Sequence, residues 1–204
     1  MLLTFLWIYK HVSLQVKQLM LFGLIVALGG EILFSLVLGM YTYRLENLPI
    51  YVPFGHTLIY TSVYYLIKEP VIQEYKTEII QVFYVLMIVY STLWFLLGDD
   101  TFGFLCMLLI LFLLKRYPFT KLFFLIMFFT IVYLELMGTY YQCWHWPLYL
   151  FDQFSWLQSS NPPSGISVFY FAFDAGCLWF YKRFNPTKWK RLKSFRRLKA
   201  KRDG

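Results

Sequence analysis

The chain has 204 residues, 59% of them apolar and only 15% charged, with a mean hydropathy of +0.56. A soluble domain of this length carries about a quarter of its residues as charges. The composition therefore excludes one and indicates an all-α, polytopic membrane helix bundle with no room for a separate soluble domain. The net charge of +8 comes from basic residues gathered between apolar runs and at the C-terminal end.

In chain order, "MLLTFLWIYKHVSLQVKQ" opens on apolar residues with no charged region before them and no small-residue cleavage site. It reads as a short interfacial segment, not a secretory signal. Six spans follow, at about 19–40, 52–67, 79–97, 102–114, 119–137 and 164–181; the fourth is short of the roughly 20 residues that cross a hydrocarbon core. "GDD" at 98–100 and "KRYP" at 115–118 make tight connections on either side of it.

With both termini in the cytoplasm, eighteen of the nineteen basic residues fall inside and only Arg44 falls outside. Positive charge retained on the cytoplasmic side sets membrane orientation, so this topology is the expected one. The tail, 182–204, places Trp189, Leu192, Phe195 and Leu198 at every third residue among lysines and arginines. On a helix that pattern lies on an anionic leaflet, and contact with membrane lipids is expected in preference to nucleic acid.

This topology sends the unusual polar residues to the outer side. Glu31, Glu135 and Asp174 lie within spans, where a carboxylate facing lipid costs several kcal/mol. They are expected to face an internal pocket together with His56, which follows Pro53 and Gly55 at a helix entrance. Tyr41, Tyr43, Arg44, Tyr140, Tyr141, Asn161 and Ser164 are the candidate binding residues around them, although Ser164 also suits a helix cap. Each acid has a bland alternative as a hydrogen-bonded structural group, and His145, between Trp144 and Trp146, reads as an interfacial anchor.

Metal-ligand spacings are missing: there is no HxxxH, HExxH or CxxC, and no metal or other cofactor is expected. Cys106, Cys143 and Cys177 read as three free thiols. "PPSG" is not a nucleophile elbow.

A pattern recurs. Glu31, Gly39, Tyr41, Tyr43, Pro53, Gly55 and Tyr60 are followed, in the same order, by Glu135, Gly138, Tyr140, Tyr141, Pro163, Gly165 and Tyr170. Both units would run from inside to outside and back, which makes them parallel repeats.

The stretch "GEILFSLVLGMYTYRLENLPIYVPFGHTLIY" (30–60) resembles the Glu, Gly-x-Tyr-x-Tyr and Leu-Pro/Val-Pro signature of the carotenoid hydratase-like membrane family. "MGTYYQCWHWP" (137–147) is similar to a Gly/Tyr-rich segment in those proteins. "YVPxGH" and "NPPSG" resemble segments of small bacterial membrane proteins of unassigned function, which implies a bacterial inner membrane as the location. The hydratase resemblance implies an enzyme that adds water to an isoprenoid or other lipid, a buried Glu31 or Glu135 protonating the alkene and Asp174 or His56 taking a proton from water. A small-solute binder or transporter, and a non-catalytic subunit with a protein partner, are the other two readings.

Overall fold

The computed structural model describes residues 1–150 and 156–190. The described residues form an all-α bundle closed at one end by a small two-stranded ribbon. Helix α1 (Leu2–His11) lays Phe5 edge-on against Phe54 of α3 (Tyr51–Leu66), with ring centroids 5.2 Å apart. Ser13 then caps α2 (Leu14–Glu31) by accepting a bond from the Val16 N–H, so the first long helix begins five residues before the span expected at 19. It runs on as a π-helical stretch, Ile32–Val37, without losing its apolar character.

Three segments are long and apolar enough to cross a membrane: Leu14–Val37, Lys76–Gly98 and Pro118–Tyr140. The second is α5 (Lys76–Gly98), which follows the five-residue α4 (Pro70–Glu74). The third comprises a 3-10 turn and α7 (Lys121–Tyr140). Helices α3, α6 (Thr101–Arg116) and α8 (Phe169–Phe184) cover the other three predicted spans, at 16 residues each. At 1.5 Å per residue such a helix reaches about 24 Å, less than the ~30 Å of a hydrocarbon core. Helix α7 is the axis of the bundle: half of its apolar window is buried, and Leu125, Met127 and Phe128 have no exposure at all.

The ribbon pairs β1 (Thr42–Tyr43) with β2 (Trp144–His145), antiparallel, Thr42 opposite His145 and Tyr43 opposite Trp144. It was not among the predicted elements. Its strands are two residues each, too short for hydropathy to mark them.

"GDD" does form the connection from α5 to α6, but Asp100 is fully buried instead of facing water. It caps α6 by accepting the Gly103 N–H at 3.1 Å, and it also accepts the N–H groups of Ser160 (3.1 Å) and Ser164 (2.7 Å). One carboxylate thus fastens the "SNPPSG" segment (160–165) onto the first turn of α6. A Cβ on Gly165 would stand 2.2 Å from the Gly103 carbonyl oxygen, so the two backbones meet where only glycine fits. Ser164 is not a helix cap: among the described residues its hydroxyl accepts no backbone N–H, its own N–H is donated to Asp100, and α8 starts five residues later behind a 3-10 turn, Ile166–Val168. Of the tail, Leu192, Phe195 and Leu198 lie outside the described residues.

Removing the Asp100 carboxylate leaves three buried N–H groups unpaired, each costing about 1–3 kcal/mol. Asp100→Ala is expected to lower stability by on the order of 3 kcal/mol or more. Thermal unfolding in detergent measures this, and an unchanged melting temperature would mean that other contacts hold the loop.

Candidate functional site

The two long helices that carry Glu31 and Glu135 leave the bundle in similar ways. Helix α7 ends in a left-handed residue, Gln142 (φ 54°), with the Cys143 N–H returning to the Gly138 carbonyl at 2.8 Å. The π-helical stretch after α2 ends at Gly39 (φ 59°), with the Met40 N–H returning to Phe34 at 2.9 Å. A left-handed residue just past a helix is the usual way to satisfy its last carbonyls. Each exit leads into a ribbon strand.

Side chains alternate along a strand, so residues two apart share a face. Tyr41 and Tyr43 point inward from one strand, Trp144 and Trp146 from the other. Both phenols donate to Glu31 Oε2, at 2.8 and 2.7 Å. Both indole N–H groups donate to Glu135 Oε2, at 2.8 and 3.1 Å. The rings interlock across the ribbon, Tyr41 against Trp146 with centroids 4.7 Å apart. Gly138 makes space for this arrangement, because a Cβ there would fall 2.0 Å from the Trp144 ring.

Helices α3 and α8 supply the rest. His56 Nε2 lies 2.7 Å from Glu31 Oε1, and His56 Nδ1 lies 2.7 Å from the Tyr170 hydroxyl. A carboxylate only accepts, so Nε2 carries a proton; in the neutral ring Nδ1 accepts the Tyr170 O–H, and in the imidazolium it donates to that oxygen. Glu31 therefore accepts three bonds over both oxygens and is itself buried. That donor set suits the ionised form. Glu135 takes its two neutral donors on one oxygen, and among the described residues Oε1 makes no hydrogen bond.

Both carboxylates and His56 line one cavity of about 420 Å³. The rest of its wall is mostly apolar, with Phe34, Val52, Ile59, Leu134 and Phe173 prominent. Tyr43 and Trp144 also line a second, polar groove of about 760 Å³ on the far side of the ribbon, so these two rings are the partition between the spaces. Burial first, and then the facing Glu31 carboxylate, push the Tyr41 and Tyr43 phenols well above the ordinary tyrosine range.

Of the residues singled out in the sequence, the structure brings together Glu31, Glu135, His56, Tyr41 and Tyr43. Asp174 sits one turn further along α8 and does not line the cavity. It accepts the Tyr60 hydroxyl, four residues on from His56, so α3 and α8 share two polar rungs in succession. Tyr140 and Tyr141 do not join the site: they are 78% and 64% exposed and pack edge-on against each other. Consecutive residues at a helix end point about 100° apart and cannot pair on one carboxylate. Arg44 is exposed and, with Tyr140 and Asn161, lines the outer groove. Asn161 steadies the ribbon, its Oδ1 accepting the Trp146 N–H at 3.0 Å and its Nδ2 lying 2.9 Å from His145 Nδ1. Ser164 is buried against α6, away from the cavity.

Trp144, Trp146 and Tyr170 were missed. The signal was available: "WHW" repeats the x-spacing of "YTY", with indole N–H groups in place of hydroxyls. No protein-family model, curated protein or solved structure matches this chain. Among the described residues no three His, Cys, Asp or Glu side chains are grouped to hold a metal.

A phenol that must stay protonated in the folded state contributes stability that is complete below the ordinary tyrosine value of about 10 and falls away above it, at about 1.4 kcal/mol per pH unit. Replacing both Tyr41 and Tyr43 by Phe is expected to flatten the alkaline stability slope by about 2.7 kcal/mol per pH unit. Denaturant unfolding in detergent between pH 10 and about 11.5 measures it; equal slopes in the two proteins would place these phenols in contact with water.

Proposed function

We propose that this chain is a multi-pass membrane enzyme performing acid–base chemistry on a lipid, and that hydration of an isoprenoid double bond is its reaction. One observation carries the reading: a single apolar cavity holds two carboxylates with unlike donor sets. Unlike environments separate the acid from the base in paired-carboxylate enzymes.

Glu135 is the acid. With both indoles on Oε2, its proton sits on Oε1 and passes to the alkene carbon. The ring faces of Tyr41 and Trp146 stabilise the carbocation that forms. A water then bonds to the cation and gives its proton to the Tyr170 oxygen, as the Tyr170 proton moves to His56 Nδ1. Glu31 stabilises the resulting imidazolium and holds the ring in place, as the carboxylate of a hydrolase triad does. The proton on His56 returns to Glu135 before the next turnover, so the sum is alkene plus water giving alcohol. Glu31 is unsuited to be the acid because its oxygens already accept three bonds, and Asp174 is too far along α8 to be the base.

Six crossings, with both termini cytoplasmic and the ribbon outside, agree with the distribution of basic residues. A bacterial inner membrane is the setting this implies, with membrane lipids the main partners and the basic tail on the anionic leaflet. A parallel repeat belongs to this reading with altered membership, Glu31 with Tyr41 and Tyr43 set against Glu135 with Trp144 and Trp146. A structural reading has its own support, since Glu31 ties three helices to the ribbon and would serve a non-catalytic subunit as well.

Mass spectrometry of lipids from cells expressing the protein is expected to show a species heavier by one water. Glu135→Gln and His56→Asn should each lower it by about 100-fold or more, the scale of a lost acid or base. A protein that stays folded in both variants with the lipid profile of the unmodified chain would overturn the enzyme reading in favour of the structural one.

A further inference from the structure

The cavity wall includes residues of α2 and α8 that are exposed on the side of the bundle, Gly29 and Ala172. At its lower edge the two helices touch: a Cβ on Gly176 would lie 3.0 Å from the Val26 side chain. At its upper edge Phe34 meets Phe169, with ring centroids 4.5 Å apart. Between those contacts the seam carries small residues, Gly29 and Gly30 on α2 and Ala172 on α8. No atom lies within 4 Å of where a Gly29 Cβ would be, and Gly30 has only the Phe34 ring of its own helix nearby. Ala172 stands opposite them, exposed, and all three line the cavity.

The spacing on both helices fits one window. Val26, Gly30 and Phe34 recur every fourth residue on α2 and its extension; Phe169, Ala172 and Gly176 recur at three and four on α8. Each set occupies one helix face, and eight residues of rise put the two closing contacts about 12 Å apart on α2. Its outer surroundings are apolar: Ile25, Leu28, Ile32 and Leu33 are 42–54% exposed on the same helix, within a segment of hydropathy 2.2. The water-facing approach is shut by the ribbon, whose four inward rings are bonded to the two carboxylates. On the α3 side, the Met1 side chain lies over Gly55.

We infer that the window between α2 and α8 is a lateral gate through which a hydrocarbon chain of a bilayer lipid passes from the membrane into the Glu31–Glu135 cavity. This rests on the enzyme reading for its purpose, but not for its test. The occupant is an apolar chain because everything at the rim is aliphatic, aromatic or glycine, and an apolar chain leaving the bilayer for such a cavity has no polar group to desolvate. A water-soluble substrate has neither a polar rim to meet nor an open path through the ribbon. The small residues set the width, and Phe34 and Phe169 set the upper limit.

The full-length protein in phosphatidylethanolamine/phosphatidylglycerol vesicles containing a phospholipid with a diazirine in its acyl chain provides the assay. After illumination, peptides bearing Tyr41, Glu135 or Trp146 are expected to carry the label. Gly30→Leu with Ala172→Leu should reduce cavity labelling by about tenfold or more, leaving label on the outer faces of α5 and α7 unchanged. A plug added after folding removes any doubt about misfolding: Cys143→Ser/Gly29→Cys, labelled before and after alkylation with N-benzylmaleimide, should lose the same cavity label. Glu31→Gln should keep cavity labelling even if hydration fails, so a wrong reaction and a wrong gate give different results. Cavity label that is absent from the unmodified chain, or that survives the benzyl plug, overturns the gate.

Discussion

The constraint on which the structure depends is the cost of a carboxylate within an apolar bundle. Glu31 meets it with a donor set drawn from distant parts of the chain: two phenols from the ribbon and an imidazole from α3, itself held by a phenol from α8. No local arrangement could supply these, because neighbours on one helix cannot surround both oxygens. The carboxylate thus dictates where the ribbon sits, how α3 is rotated and which residue of α8 faces inward. Loss of any one donor leaves a buried charge short of a partner, which costs more than the bond itself contributed.

The same logic gives the site its asymmetry. Glu135 is met from the ribbon alone, on one oxygen, by donors that carry no charge. Two acids brought to one cavity by similar helix exits therefore have different work open to them. The ribbon that creates the difference also separates the apolar cavity from the polar groove, so the elements that tune the carboxylates are those that keep bulk water away from them. Asp100 repeats the theme elsewhere: a buried carboxylate shared between an α-helix and a loop sixty residues away.

Much of this was legible from single residues. Glu31, Glu135 and His56 stand out because ionisable groups in apolar runs need partners, and Gly39 before "YTY" marks where the chain leaves the span. The remainder depended on chemistry being matched across unlike residues. Tyr140 and Tyr141 look like the counterpart of Tyr41 and Tyr43 if identity is compared, but they belong to the helix end. The residues that do bond Glu135, Trp144 and Trp146, share with Tyr41 and Tyr43 only the N–H or O–H donor and the alternating spacing. Asp100 has the sequence of an exposed turn, and only the packing of "SNPPSG" on α6 reveals it as a buried cap. Hydropathy found an apolar run for each of six helices and already gave two of them, at 52–67 and 102–114, no more than 16 residues; it began the last at 164, where the chain first makes a 3-10 turn and α8 starts only at Phe169.

One feature of α2 bears on how such a site tolerates change. Eight residues separate Glu31 from its left-handed exit at Gly39, but only seven separate Glu135 from Gln142. The wide π-helical turn at Ile32–Val37 takes up that extra residue. Wound as an α-helix, the same stretch would carry everything after it through a further ~100°, and Tyr41 and Tyr43 would leave the carboxylate. The turn acts as a phase corrector. A one-residue deletion between 32 and 37 would let the stretch wind as an α-helix with the ribbon still in phase, whereas an inserted residue would turn Tyr41 and Tyr43 away from Glu31.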